Sequence, residues 1–133
     1  MAKDTIFQSK KTWHLKGKIL SFETPVVMGI LNHTPDSFFD GNAYTTELAL
    51  LRKAEQLLHE GAALLDVGGY SSRPGAMHIT EEEELGRVIK PIQDIIKRFP
   101  EAILSIDTFR GNVAAAAINE GVCIINDISG GGI

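Results

Sequence analysis

The sequence holds a single cysteine, Cys123, among its 133 residues. That excludes a disulfide framework within the chain and any zinc site built on cysteines. Set in an apolar run, the thiol reads as a small hydrophobe. Basic residues are also scarce. Thirteen Lys and Arg against seventeen Asp and Glu give a formal net charge of -4, and no basic cluster stands out. No nucleic-acid partner and no membrane partner is therefore expected, although this charge is compatible with a local phosphate site. No apolar run approaches the ~20 residues that cross a bilayer. The opening MAKDTIFQSKK lacks the apolar core of a signal peptide, so the expected location is the cytoplasm. The 44% hydrophobic and 23% charged residues that remain make an ordinary globular composition, enough for one domain.

Periodicity gives that domain a rhythm. Residues 1–12 are polar and are expected to form a flexible N-terminus. WHLKGKILSF, from Trp13 to Phe22, predicts two short strands around Gly17, a hairpin laid across one end of the fold. Val26 to Leu31 is a strand-length apolar run. Thr46 to Glu60 is helical, with Leu48, Leu51, Ala54, Leu57 and Leu58 on one face and Gly61 as its stop. Ala63 to Val67 is a second strand. Thr80 and Glu83 have the spacing of a capping box. The helix they open carries Leu85, Val88, Ile89, Ile92, Ile95 and Ile96 at helical spacing, holds Pro91 inside it, where a kink is expected, and ends at Pro100. Ile103 to Ile106 is a third strand, Asn112 to Glu120 a short alanine-rich helix, and Val122 to Ile128 a fourth strand. Alternating β and α with strands apolar on both faces predicts an α/β fold with a parallel sheet. No glycine-rich dinucleotide turn follows the first strand, and no lysine follows the glycines at positions 130–132 to make a phosphate loop. A parallel barrel is the better solution, yet a complete one needs ~250 residues. Residues 13–133 supply about the first half.

Each apolar strand runs out into polar residues. The first yields Asn32, the second Asp66 and then Tyr70-Ser71-Ser72-Arg73-Pro74-Gly75, the third Asp107-Thr108, the fourth Asn126-Asp127. In a parallel barrel these ends share one rim, where barrel enzymes keep their active sites. Asp or Asn at such a place serves equally as a turn former or helix cap, and Asp66 equally as a buried hydrogen-bonding residue. Arg73 reads as a surface residue or as an anion clamp. The run Glu81 to Glu84 reads as a solvated helix start favoured by the dipole. His14, His59 and His78 read as surface residues, and His33 has no identifiable partner.

Three stretches carry a resemblance. MGILNHTPDSFFDG, DVGGYSSRPGA, and LSIDTF followed by IINDISGG resemble, in order and spacing, the first three signature regions of the dihydropteroate synthases. The resemblance covers Val26 to Gly130. It implies a (β/α)8 TIM barrel, of which this chain holds about the first four β/α units behind a short N-terminal hairpin. It implies a transferase that condenses 6-hydroxymethyl-7,8-dihydropterin diphosphate with p-aminobenzoate, giving 7,8-dihydropteroate and pyrophosphate in folate biosynthesis. Asn32 resembles a magnesium ligand beside the diphosphate, so Mg2+ is the implied cofactor. Asp107 and Asn126 resemble groups that hydrogen-bond the pterin. Ser72 and Arg73 resemble the loop at the leaving diphosphate, Asp40 with Arg73 a two-loop lid of catalytic importance, and Phe38 and Pro74 walls of the aminobenzoate pocket. The resemblance also implies a homodimer for the full-length protein.

The match is not complete. His33 stands where the family has a small apolar residue, Tyr70 where glutamate is common, and Ser72 where threonine is common. The family's Asp-Pro-Gly, Ser-Arg-Lys and Arg-x-His regions are not in the sequence, so the 133 residues alone are expected to be inactive. Two other readings fit the strand-end residues: a pterin-dependent methyltransferase barrel, and a non-catalytic half-barrel binding module. The Thr-Pro-Asp-Ser-Phe and Ser-Arg-Pro-Gly loops favour the synthase.

Overall fold

Positive φ at two successive residues, Lys16 at 51° and Gly17 at 81°, marks a tight two-residue reversal whose twist matches that of flanking strands. It joins β1 (Thr12–Leu15) to β2 (Lys18–Ser21) as the expected antiparallel hairpin. The computed structural model describes residues 12–32, 43–69 and 79–126. What the sequence suggests for residues 1–11 lies outside them.

The rest is a regular alternation: β3 (Met28–Asn32), α1 (Ala43–His59), β4 (Leu64–Gly68), α2 (Glu81–Arg98), β5 (Leu104–Asp107), α3 (Gly111–Glu120) and β6 (Ile124–Asn126). β3 to β6 form one parallel sheet in sequential order. A doubly wound sheet reverses its strand order partway and carries helices on both faces. Here each strand is laid beside the one before it, and the three helices share a face. That is the arc of a barrel wall, the α/β fold expected.

Strand alternation explains how one sequence serves two faces. Leu31, Leu65, Val67, Leu104 and Ile106 point outward. They pack with Leu50 and Ala54 of α1, Val88, Ile92 and Ile95 of α2, and Val113 and Ala117 of α3 in one continuous core. The intervening residues point inward: Met28, Ile30 and Asn32; Leu64, Asp66 and Gly68; Ser105 and Asp107; Ile124 and Asn126. Met28 and Ile30 are about half exposed on that concave face, at 41% and 48%. The expectation of strands covered on both faces therefore holds for β4, buried along its whole length, and not for β3.

Thr80 caps α2 as expected: its hydroxyl accepts the Glu83 amide at 3.1 Å, and the Glu83 carboxylate accepts the Thr80 hydroxyl at 3.3 Å. α2 runs as one element through Pro91. The hairpin sits at the N-terminal end of the sheet. Leu20 packs with Leu64 and Ile103, while Lys18 Nζ donates to the Ala102 carbonyl and Lys16 Nζ to that of Ile118, each at 2.7 Å. The hairpin thus covers part of this end, and the strand C-termini lie at the opposite rim.

Candidate functional site

The register brings the polar strand ends into one row. Asn32 pairs with Gly68, Gly68 with Asp107, and Asp107 with Asn126. Three side chains distributed over nearly a hundred residues of sequence thus stand side by side on the concave face of the rim. Each is the last residue of its strand, so the strand ladder fixes its backbone position.

Gly68 is the gap in that row. A Cβ there would lie 3.3 Å from Asn32 Oδ1, 3.3 Å from Asp107 Cβ and 3.5 Å from Asp107 Oδ2. Adjacent strands lie about 4.8 Å apart, so Asn32 and Asp107 come from backbones separated by roughly twice that. They approach over the glycine because it has no side chain. An amide oxygen and a carboxylate oxygen therefore share a small concave space.

One layer below lies a residue that the site assignment missed. Asp66 is in mid-strand, not at the strand end where the sequence reading put it, because β4 extends to Gly68. It is only 2% exposed. Ser105 Oγ donates to its Oδ1 at 2.5 Å, and Asn126 Nδ2 donates to its Oδ2 at 3.2 Å. A carboxylate only accepts. The Asn126 amide must therefore turn its NH2 toward Asp66, and its Oδ1 is the atom left to accept from a ligand. Asp66 is thus a buried hydrogen-bonding residue, one of the two readings open from the sequence, and it orients Asn126. Its pairing crosses 60 residues of sequence and two strands, and only the alternation Leu64-Asp66-Gly68 put it on the right face.

A second correction concerns the acidic helix start. Glu84 is completely buried and pairs with Arg110 Nη1 at 2.9 Å, with Arg110 itself mostly buried. The dipole reading suits the exposed Glu82 and Glu83. Glu84 belongs instead with Val88, Ile92 and Ile95, four and three residues apart on the inward stripe of α2. That spacing was visible in the sequence. Of the remaining predicted site residues, Phe38 and Asp40, and Ser72, Arg73 and Pro74, lie outside the described residues, as do His33 and Tyr70.

The magnesium expectation can be tested on donors. Among the described residues no group of three or more His, Cys, Asp or Glu is placed to hold a metal. Asn32 Oδ1 over Gly68 is a single hard oxygen donor. That fits a magnesium ion taking one or two protein oxygens and completing its shell with water and substrate phosphates, and does not fit an all-protein cage. Among the described residues no helix is long and apolar enough to cross a membrane.

Comparison with known proteins agrees with this geometry. Residues 28–132 match a family described as pterin binding enzyme. The dihydropteroate synthase of Bacillus subtilis (strain 168) is 45% identical over 131 residues, which are 98% of this chain and 45% of that protein. A solved Xanthomonas albilineans dihydropteroate synthase with 4-aminobenzoic acid superposes with a TM-score of 0.85 at 43% identity, over 92% of this chain and 45% of that one. The same enzyme in complex with 7,8-dihydropteroate gives a TM-score of 0.79 at 39% identity, over 92% and 44%. This chain therefore spans less than half the length of the proteins it matches. With the row of strand-end residues, the matched segment and the shared fold in agreement, the chain belongs to the pterin-binding enzyme family.

Proposed function

We propose that these residues form the first half of a dihydropteroate synthase site, working in folate biosynthesis once a C-terminal half completes the barrel. The observation that carries this reading is the row Asn32–Gly68–Asp107–Asn126 at the C-terminal ends of parallel strands. The edge of a pterin is a line of ring N–H, amino and carbonyl groups. Asp107 accepts from its donors. Asn126, its NH2 tied to Asp66, offers Oδ1 to another. Two acceptors on neighbouring strands match two donors on one planar ring.

The reaction is a substitution at the methylene carbon of the pterin, with diphosphate leaving and the neutral aryl amine of p-aminobenzoate attacking. No enzyme nucleophile is needed. A bound Mg2+ would neutralise charge on the departing diphosphate, with Asn32 as its protein ligand. Ser72 and Arg73 hold the leaving group, Asp40 with Arg73 closes the site against water, and Phe38 and Pro74 wall the aminobenzoate. Charge that develops on the pterin meets a carboxylate already in place. We further propose a homodimer as the working unit and the cytoplasm as the compartment.

The test joins these 133 residues to the C-terminal half of the Bacillus subtilis relative and assays dihydropteroate formation. The joined chain is expected to turn over and the 133-residue chain alone is not. Asp107→Ala or Asn126→Ala each removes a hydrogen bond to the ligand and should weaken pterin diphosphate binding about 10- to 100-fold by calorimetry. Undiminished binding in both variants would refute the pocket.

A further inference from the structure

Asp107 is the last residue of β5, and the chain turns through Thr108, Phe109 and Arg110 into α3. Whether the end of a strand frays depends on how the residues after it are held. Here the turn is anchored at each residue. The Thr108 amide donates to the Asn126 carbonyl at 3.3 Å, which carries the pairing of β5 with β6 one step beyond Asp107. Thr108 is itself buried, and its Oγ1 accepts the Arg110 amide at 3.1 Å. Arg110 is the N-cap residue of α3 but makes no side-chain cap bond. A guanidinium only donates, so it has nothing to offer the free amides of a helix start. Its side chain runs instead to α2. Nη1 donates to Glu84 Oε1 at 2.9 Å, Nη2 donates to the carbonyl of Ile79 at 2.6 Å, and the guanidinium lies 5.0 Å over the Phe109 ring. One planar fork thus ties the start of α2 to the turn that follows Asp107.

Stability does not account for the pair. Glu84 is fully buried, and its Oε2 has no hydrogen-bond partner among the described residues. A buried carboxylate with one oxygen unsatisfied is costly, and apolar replacements of buried ion pairs are often neutral or stabilising. What Glu84 does supply is direction. Its own stem is confined between α2 and β4, where a Cβ on Gly69 would come 3.5 Å from Glu84 Cγ. A fixed carboxylate fixes the guanidinium plane, and the guanidinium fixes the turn. We propose that Glu84 is a positioning residue for Asp107, acting through Arg110 to hold the end of β5 at a set spacing from Asn126. The consequence for pterin binding rests on the synthase reading; the anchored turn does not.

Two measurements test it. In the 133-residue chain, Arg110→Lys replaces the fork by a single ammonium. Amide exchange at residues 108 and 110 should speed up about tenfold or more, as for the loss of one hydrogen bond, with the core of β5 unchanged. If residues 108 and 110 keep their protection, the anchoring is wrong whatever the activity. In the joined chain, the apolar pair Glu84→Leu with Arg110→Met should melt at or above the parental temperature. It should nevertheless bind pterin diphosphate about 2- to 12-fold more weakly, since the ligand must then order Asp107. On an Asp107→Ala background the same pair should weaken binding no more than about twofold further. Parental affinity in the apolar pair, or an equal loss with and without Asp107, would overturn the positioning role. So would a loss of affinity that Arg110→Lys does not share. A joined chain that binds no pterin diphosphate, with the exchange result intact, would instead count against the synthase reading and leave the anchored turn standing.

Discussion

Asp66→Ala removes the central acceptor from the buried chain Ser105–Asp66–Asn126. Two effects separate. The Ser105 hydroxyl, fully buried, loses its acceptor, and an unsatisfied buried donor costs about 1–3 kcal/mol. For a joined barrel of ~250 residues that lowers Tm by roughly 2–6 °C. Asn126 loses the group that orients its amide. It must then be ordered by the ligand, at about 0.5–1.5 kcal/mol for one side chain, which raises the Kd for pterin diphosphate about 2- to 12-fold. Adding Ser105→Ala removes the stranded donor, and replacing both partners of a buried hydrogen bond is close to neutral. The double variant should therefore melt within about 1 kcal/mol of the parent and still bind weakly, because Asn126 still has no acceptor. Thermal melts and titration calorimetry on the joined chain read the two quantities independently. Recovery of stability and affinity together would refute the orienting role. So would Asp66→Ala binding at parental strength while Asn126→Ala does not.

Two further substitutions probe the gap and the core. Gly68→Ala places a methyl group 3.3 Å from Asn32 Oδ1 and Asp107 Cβ; displacement of both by a few tenths of an ångström should weaken pterin diphosphate binding by up to about tenfold, with a Tm close to the parent's, and parental affinity in calorimetry would contradict the convergence over Gly68. Ile92→Ala empties a completely buried position in the core between α2 and the sheet and should cost about 2–5 kcal/mol in urea unfolding; a loss below about 1 kcal/mol would mean that the layer is not continuously packed.

Much of this architecture was legible in the sequence because parallel strands are the simplest apolar runs and their helices the clearest 3.6-residue stripes. Asn32, Asp107 and Asn126 follow from one rule, polarity at the end of such a run, and the register sets them in one row. Boundaries moved by one to three residues where the rule uses hydrophobicity: β3 excludes Val26 and Val27 and includes Asn32, since the ladder follows backbone pairing and not side-chain character. Glu84 was misread because four glutamates in succession look solvated, although its helical phase with Val88 placed it inside. Asp66 and Gly68 were harder. What each does depends on register against β3, β5 and β6, and a sequence states which residues form strands more readily than which row they share.

The sequential order of the sheet has a kinetic consequence. Every strand pairs with its chain neighbour, one helix away, so no contact in the outer core waits for a distant segment. Sequence-local pairings close with little loop entropy and form early. As the chain leaves the ribosome, each β/α unit can dock on the last, and the helix-facing layer of the described residues is assembled once α3 is in place. The concave face, with Met28 and Ile30 still open to solvent, is then an apolar surface exposed to the crowded cell, the kind of surface at which nascent chains aggregate or engage chaperones.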